Sequence, residues 1–245
     1  MARIILKNIN LQFPKTFDQD RSIRNRLSNM ISNKKIQFDL ISSLKNISVD
    51  FKDGDVVGVI GPNGSGKSSF LRVISGIYHA NSGDRFIDGK ILTLLDLNTG
   101  METECTGYEN IFLLSYLRGY KKKIIEKFVD NIIEFSELGE AILKPVRTYS
   151  SGMMQRLAAS MILHFDADIL LLDEFISTGD KSFKKKFADH MKTKLSETKI
   201  VVLASHDEVL VKKICNRVFR IEMGIMEEVT KSSLDIEDPR KIWQV

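Results

Sequence analysis

A glycine-rich loop between a short apolar run and a helical stretch constrains this chain more than any other feature. The loop fits the pattern G-x-x-x-x-G-K-[S/T] in full, as Gly61-Pro62-Asn63-Gly64-Ser65-Gly66-Lys67-Ser68. The run before it, residues 56–60, is short and continuously apolar, which is typical of a strand buried on both faces. Strand, loop and helix therefore follow in the order that the pattern requires, and the sequence predicts a loop that binds nucleoside triphosphate.

The residue types in this loop are those that phosphate binding needs. Glycines let backbone N–H groups approach the phosphates, and the start of the following helix adds favourable partial charge. Lys67 is predicted to reach the β- and γ-phosphates, and the Ser68 hydroxyl to ligate Mg²⁺. A glycine turn without a ligand is the alternative. The predicted nucleotide-binding residues here are Gly61, Pro62, Asn63, Gly64, Ser65, Gly66, Lys67, Ser68 and Ser69.

Two carboxylates, Asp173 and Glu174, directly follow a second apolar run at residues 169–172. At a strand end across from a phosphate loop, the first carboxylate is placed to hold Mg²⁺ through water. The second can orient and deprotonate an attacking water, although a solvated strand end is the simpler alternative. His206 follows a third such run, residues 200–204, which predicts a position near the γ-phosphate unless its role is structural.

Apolar runs of strand length alternate with helical patterns along most of the chain. This alternation predicts an α/β fold with a mixed, largely parallel core sheet. Residues 3–13 predict an N-terminal antiparallel β part that ends at Pro14, and the segment around Gly224 predicts a terminal hairpin. The mostly helical pattern of residues 106–163 is long enough to predict a helical subdomain.

Composition excludes several classes of protein. With 36 Lys and Arg against 32 Asp and Glu, the net charge of +4 is too small to argue for nucleic acid. Apolar runs are far shorter than the roughly 20 residues of a spanning helix, and the N-terminus does not read as a signal peptide. The two cysteines, Cys105 and Cys215, lack metal-site spacing, so we expect free thiols and a cytoplasmic chain.

A set of motifs makes the chain resemble the ATP-binding-cassette family. They occur in that family's order, and the resemblance runs from Ile4 to about Val229. The Walker A, signature, Walker B and D-loop-like segments are residues 61–68, 149–153, 169–174 and 177–180, followed by the switch residue His206. The resemblance implies a P-loop ATPase built as a single nucleotide-binding domain over residues 1–245.

One branch of the family is favoured by the signature, which reads YSSGM where most members have LSGGQ. This variant resembles the ATPase subunits that export O-antigen, capsule and teichoic acid. The TGYEN run at 106–110, the segment 94–101 and a basic insertion at about 15–43 are similar to features of that branch. Because the chain stops at Val245, no C-terminal carbohydrate-binding module is expected.

One departure from the family concerns the residue that usually contacts Mg²⁺ and senses the membrane partner. Most cassettes have a glutamine there, whereas alignment on residues 106–110 places Leu97 at this position. Leucine cannot ligate a metal, and Asp96 or Asn98 are the candidates to substitute for it. The branch as a whole dispenses with the glutamine, so the departure agrees with the resemblance.

The resemblance implies a head-to-tail dimer in which each subunit closes the ATP of the other. The signature residues that would close it are Ser150, Ser151 and Gly152, and Asp180 is a further cofactor-binding residue. Glu174 would then be the general base, with His206 holding the γ-phosphate and the attacking water. Phe13 would stack on adenine, or else be an ordinary core residue.

The implied function is ATP hydrolysis, with Mg²⁺, that drives export of a cell-surface polysaccharide. The expected partners are two copies of an integral-membrane permease and a second copy of this chain, without nucleic acid. The chain would lie peripherally on the cytoplasmic face of the inner membrane of a bacterium. The alternatives are an exporter of lipid, peptide or drug, a soluble cassette protein and a P-loop kinase.

The whole excess of positive charge lies in one N-terminal segment. Residues 15–37 contain six basic and two acidic side chains, which leaves 30 of each sign elsewhere. Apolar residues recur there at helical spacing, at Ile23, Leu27, Met30 and Ile31. This predicts a basic amphipathic helix that contacts the permease or the anionic leaflet, unless it packs on the chain's own sheet.

Overall fold

The computed structural model describes residues 1–15, 40–95, 100–173 and 181–229. Its strands in these ranges are β1 (Arg3–Pro14), β2 (Leu40–Lys52), β3 (Val56–Ile60), β4 (Ser82–Asp88), β5 (Ile91–Leu94), β6 (Ile169–Asp173), β7 (Ile200–Ala204), β8 (Arg217–Glu222) and β9 (Ile225–Glu228). The α-helices are α1 (Lys67–Ser75), α2 (Gly107–Leu117), α3 (Lys122–Ser136), α4 (Ser151–His164), α5 (Lys181–Glu197) and α6 (Glu208–Ile214). Short 3-10 turns span Gly139–Leu143 and Val146–Thr148.

The strands form two sheets. The larger has the order β5-β6-β7-β3-β8-β9, and its neighbours pair in parallel up to β8, after which β9 returns antiparallel. The smaller is an antiparallel sheet with the order β2-β1-β4. The α/β fold, the largely parallel core sheet and the N-terminal antiparallel part are therefore confirmed. The β8–β9 hairpin turns at Gly224, as the sequence predicted.

Two apolar cores lie on opposite faces of the larger sheet. In β6, Ile169 and Leu171 belong to the core shared with α1 and the smaller sheet, whereas Leu170 and Leu172 belong to the helical core. Successive strand residues point to opposite faces, so a strand covered on both sides must be continuously apolar. This explains the short apolar runs in the sequence.

Two element ends have a clear structural cause. Strand β2 begins at Leu40, because its pairing with β1 continues to Pro14. Helix α1 stops at Ser75, because Gly76 adopts a left-handed conformation that caps it. In the part of the chain that the structure describes, no helix combines the length and apolarity needed to cross a bilayer.

Candidate functional site

Three strand ends meet at one edge of the larger sheet. Strand β7 lies between β3 and β6, and its last residue, Ala204, is in register with Val59 on one side and Asp173 on the other. Asp173 therefore lies about 10 Å, two strand spacings, from the strand that leads into the glycine-rich loop. His206 follows two residues after β7 and is exposed. The fold thus brings the loop, Asp173 and His206 to the same edge.

Lys67 is the buried cation of this site. It opens helix α1 and is only 6% exposed. Its Nζ atom donates to two carbonyl oxygens of its own loop, 2.8 Å from Gly61 O and 3.1 Å from Pro62 O. No carboxylate pairs with this ammonium group within the described ranges. A buried charge without a counter-ion is costly, so this arrangement favours an anionic ligand.

Two glycines of the loop are required by close approach to neighbouring backbone. A Cβ atom on Gly61 would lie 2.2 Å from the carbonyl oxygen of Ile221 in β8. A Cβ atom on Gly66 would lie 2.6 Å from the carbonyl oxygen of Ser43 in β2. Gly66 also has φ of 115°, which favours glycine. The loop is therefore held between strands from both sheets.

The Ser65 hydroxyl independently tests whether the loop fits an anionic ligand. Its hydroxyl is the one buried side-chain polar atom without a hydrogen-bond partner among the described residues. The neighbouring Ser69 differs, since its hydroxyl accepts from Ser43 Oγ at 2.8 Å. Buried hydroxyls are almost always hydrogen-bonded, so an exception calls for an explanation. A phosphate oxygen would accept from Ser65, and the loop therefore fits a nucleoside triphosphate.

The signature segment begins helix α4. Ser150 is its N-cap, and the Ser150 hydroxyl accepts from the N–H of Met153 at 3.2 Å. Ser150 and Ser151 are exposed. Among the described residues, and apart from its chain neighbours and its own helix backbone, the nearest atom to a Cβ built on Gly152 is Ser150 Oγ at 3.9 Å. The first turn of a helix carries free N–H groups and positive partial charge. This open helix start can therefore receive an anion from outside the subunit.

The TGYEN run has a structural explanation. Thr106 and Glu109 form a reciprocal capping box at the start of α2, and these hydrogen bonds lower the pKa of the Glu109 carboxyl. The Asn110 side chain is fully buried and hydrogen bonds with both the N–H and the carbonyl of Glu102. Its amide also donates to the carbonyl of Thr106. The run therefore fixes the loop that precedes α2.

Phe13 lies near the end of β1 and is partly buried against the core that contains α1. Its ring packs edge-to-face on Tyr78, with 5.3 Å between the ring centroids. Arg72 lies over the same Tyr78 ring at 5.7 Å. Phe13 thus takes part in packing, and its stacking on adenine stays a prediction.

Some predicted residues lie outside the described part of the chain. They are Glu174, Asp180, the D-loop-like segment 177–180, Asp96, Leu97, Asn98 and the basic segment from residue 16 to residue 39. Within the described ranges no three His, Cys, Asp or Glu side chains converge as a metal site. Ser68 and Asp173 both lie in the described ranges, and their role as Mg²⁺ ligands stays a prediction.

Residues that the sequence did not identify also shape the site. Ser43 in β2 and Ile221 in β8 lie against the loop glycines, and the N–H of Gly224, in the β8–β9 turn, donates to Ser65 O at 3.2 Å. No local pattern marks these contacts. The capping box at Thr106 and Glu109 did have a sequence signal, the T-x-x-E spacing before an apolar run.

The ABC transporter family model matches residues 44–177 of this chain. The O-antigen export system ATP-binding protein RfbE of Yersinia enterocolitica is 39% identical over 241 residues, which cover 96% of this chain and all of that protein. RfbB of Myxococcus xanthus, with the same description, is also 39% identical, but the chain spans only 54% of its length. The teichoic acids export ATP-binding protein TagH of Listeria monocytogenes is 34% identical, over 92% of this chain and 70% of that protein.

Solved structures agree with the fold. The ATP-binding cassette MJ0796, determined as a dimer in a post-hydrolysis state bound to ADP and Pi, superimposes with a TM-score of 0.67. The match covers 93% of this chain and 99% of that one at 22% sequence identity. At this identity the likeness concerns the fold alone.

Proposed function

The chain belongs to the ABC transporter family, and we propose that it is the ATP-binding and ATP-hydrolysing subunit of a polysaccharide exporter. The observation that carries the nucleotide part is the loop around Lys67, with its buried ammonium group and the unpartnered Ser65 hydroxyl. The polysaccharide part is supported by RfbE, an O-antigen export ATP-binding protein that is 39% identical over 96% of this chain and all of its own length. We propose O-antigen, capsule or teichoic acid as the class of cargo.

The chain's own residues would divide the work as follows. Lys67 would bind the β- and γ-phosphates, and the N–H groups at the start of α1 would bind the remaining phosphate oxygens. Ser68 and Asp173 would hold Mg²⁺, which neutralises charge on the phosphates when bound. Glu174 would take a proton from the attacking water, and His206 would hold that water and the γ-phosphate in line.

The second half of each site would come from another copy of this chain. The start of α4, where Ser150 is the N-cap and is followed by Ser151 and Gly152, would receive a γ-phosphate across a head-to-tail dimer. Such a dimer closes on ATP and opens after hydrolysis, which is a mechanical cycle. We propose that two permease copies use this cycle, with the chain bound peripherally at the cytoplasmic face of the inner membrane of a bacterium.

The domain assignment belongs to the same proposal. Residues 1–245 would form one nucleotide-binding domain, in which helices α2 to α4 make up the helical subdomain that carries the signature. The basic segment of residues 15–43 would be an insertion in the N-terminal β part. Asp180 and Phe13 would be further nucleotide contacts, at the dimer interface and on the adenine.

The test is complementation in cells that lack this chain and still have its permease. Wild-type chain should restore polysaccharide at the cell surface, seen by labelling intact cells, while the Lys67→Ala variant should leave polysaccharide inside. Normal expression of both proteins is checked by immunoblot. If surface polysaccharide does not depend on the chain while a lipid, peptide or drug does, the cargo class proposed here is wrong.

A further inference from the structure

Tyr149 lies directly before the signature serine and has no role in the function proposed above. Its side chain is buried at 8% exposure, and its hydroxyl donates to the carbonyl of Ala141 at 2.7 Å. Burial raises the pKa of the phenol, and a backbone hydrogen bond from Gly107 partly opposes that rise. The hydroxyl is therefore protonated at neutral pH. It links the backbone of Ala141, in the segment just before the signature, to that of Gly107, which is distant in sequence.

Gly107, the first residue of α2, makes room for this phenol. A Cβ atom built there would lie 2.3 Å from the Tyr149 hydroxyl oxygen and 2.8 Å from Cδ1 of Ile142. The φ of Gly107 is not positive, so its backbone conformation does not require glycine. What the position requires is space. The glycine of the TGYEN run and the tyrosine of the variant signature are thus two sides of one contact.

Backbone hydrogen bonds join the same two segments. The N–H of Val146 donates to Cys105 O, and the N–H of Arg147 donates to Thr103 O, both at 2.9 Å. Residues 103–107 lead into α2, and residues 145–149 lead into α4. The starts of the two helices are therefore fixed to each other by backbone bonds and by a buried side chain.

We propose that Tyr149 is a positioning residue, which holds the start of α4 against Gly107 so that Ser150 meets the partner subunit's nucleotide. The inference rests on the proposed head-to-tail dimer. Tyr149 itself touches no nucleotide in this scheme. Loss of the contact should therefore slow hydrolysis at a site formed by another subunit's phosphate loop, while the chain's own loop binds ATP as before.

The first experiment measures steady-state ATP hydrolysis and ATP affinity with the purified full chain. Tyr149→Phe removes both hydrogen bonds of the hydroxyl, the one to Ala141 and the one from Gly107, and we expect kcat to fall roughly fivefold at unchanged ATP affinity. Gly107→Ala should have a larger effect. The double variant Gly107→Ala/Tyr149→Phe should recover part of that loss, because the clashing oxygen is gone while the close contact with Cδ1 of Ile142 remains. Tyr108→Phe is the matched control, because Tyr108 is exposed on the same helix.

The second experiment separates positioning from mere structural support. Lys67→Ala chains and Gly107→Ala chains are mixed, so that mixed dimers contain one site with an intact loop and an intact signature. We expect the mixture to reach about one quarter of wild-type activity, since half of the dimers are mixed and each has one intact site. A folding defect in Gly107→Ala would not be rescued in this way.

Several results would overturn the inference. They are a mixture no more active than its separate parts, a double variant no more active than Gly107→Ala, or an unchanged kcat in Tyr149→Phe. If Gly107→Ala does not fold, the kcat of Tyr149→Phe still tests the inference, because this variant keeps the aromatic ring. Failure of the proposed function is distinct, since the wild-type chain would then not hydrolyse ATP, or Lys67→Ala would hydrolyse it normally.

Discussion

The phosphate loop and the start of helix α4 both gather backbone N–H groups at a helix N-terminus, yet the chain encloses only the first. Gly61 and Gly66 lie against backbone carbonyls of β8 and β2, and Lys67 is 6% exposed. At α4, Ser150 and Ser151 are exposed, and no described residue outside this helix start lies within 4 Å of a Cβ built on Gly152. The phosphate loop is thus enclosed by neighbouring strands of the same chain, whereas the start of α4 lies exposed at the surface.

This difference teaches how one reaction can be divided between two regions. An enclosed loop can bind nucleotide without help, because the fold already holds its glycines, Ser65 and Lys67 close together. An exposed helix start binds its anion only when a second subunit brings the nucleotide to it. It is therefore suited to respond to closure of the dimer. We therefore expect variants in the loop to change nucleotide affinity, and variants at α4 to change hydrolysis alone.

The largest effect is expected from Glu174→Gln, which leaves both regions intact and removes the proposed base. Loss of a general base costs about 10²–10⁴ in rate, so the variant should bind ATP and almost cease to hydrolyse it. The loop and the signature should then stay together as a closed dimer. Steady-state ATPase assays and size-exclusion chromatography with ATP check both results, and near-normal turnover would refute the role of Glu174.

The next largest effect tests the difference between the two regions directly, by comparing ATP affinity in Lys67→Ala and in Ser150→Ala. Lys67→Ala removes a charge from the phosphates and should weaken ATP binding roughly 10- to 100-fold, as charge-assisted hydrogen bonds do. Ser150→Ala should leave affinity unchanged, although loss of the helix cap costs about 1 kcal/mol of stability. Calorimetric titration of ATP into each variant measures the difference, and equal losses would mean that the regions do not divide the work.

The sequence predicted the enclosed region well because its determinants are local. Residues 61–68 are contiguous. The strand before them is covered on both faces, and its sequence is therefore an unbroken apolar run. Asp173 and His206 could also be placed at the loop's edge, since the carboxyl ends of neighbouring parallel strands share one edge. The α/β fold followed from the same runs.

What encloses the loop could not be predicted from the sequence. Ser43 and Ile221 come from strands of two different sheets, and only the folded topology brings their carbonyls to the glycines. The contact between Tyr149 and Gly107 is also long-range, so each residue by itself gave no signal. The open start of α4 was different, because Ser150 is a good N-cap and that preference is local.

The smallest expected effects are on the stability of the free chain, in variants of two serines of the enclosed region. The two variants should change stability in opposite directions. Without nucleotide, the buried Ser65 hydroxyl has no partner, and an unsatisfied group of this kind costs about 1–3 kcal/mol. Ser65→Ala should therefore stabilise the free chain. Ser69→Ala is the matched control, because its hydroxyl accepts from Ser43 at 2.8 Å and its loss should destabilise by about 1 kcal/mol.

Thermal unfolding with and without Mg²⁺ and ATP measures both effects. For a domain of this size about 1 kcal/mol corresponds to roughly 2–4 °C in Tm, so Ser65→Ala should melt higher than wild type and Ser69→Ala lower. Saturating nucleotide should raise Tm more for wild type than for Ser65→Ala. A ligand stabilises a protein by binding its folded state, and Ser65→Ala lacks one hydroxyl that would bind the nucleotide. Destabilisation of the free chain by Ser65→Ala would instead mean that this hydroxyl already has a partner before ATP arrives, and the loop would then be less prepared for phosphate than its geometry indicates.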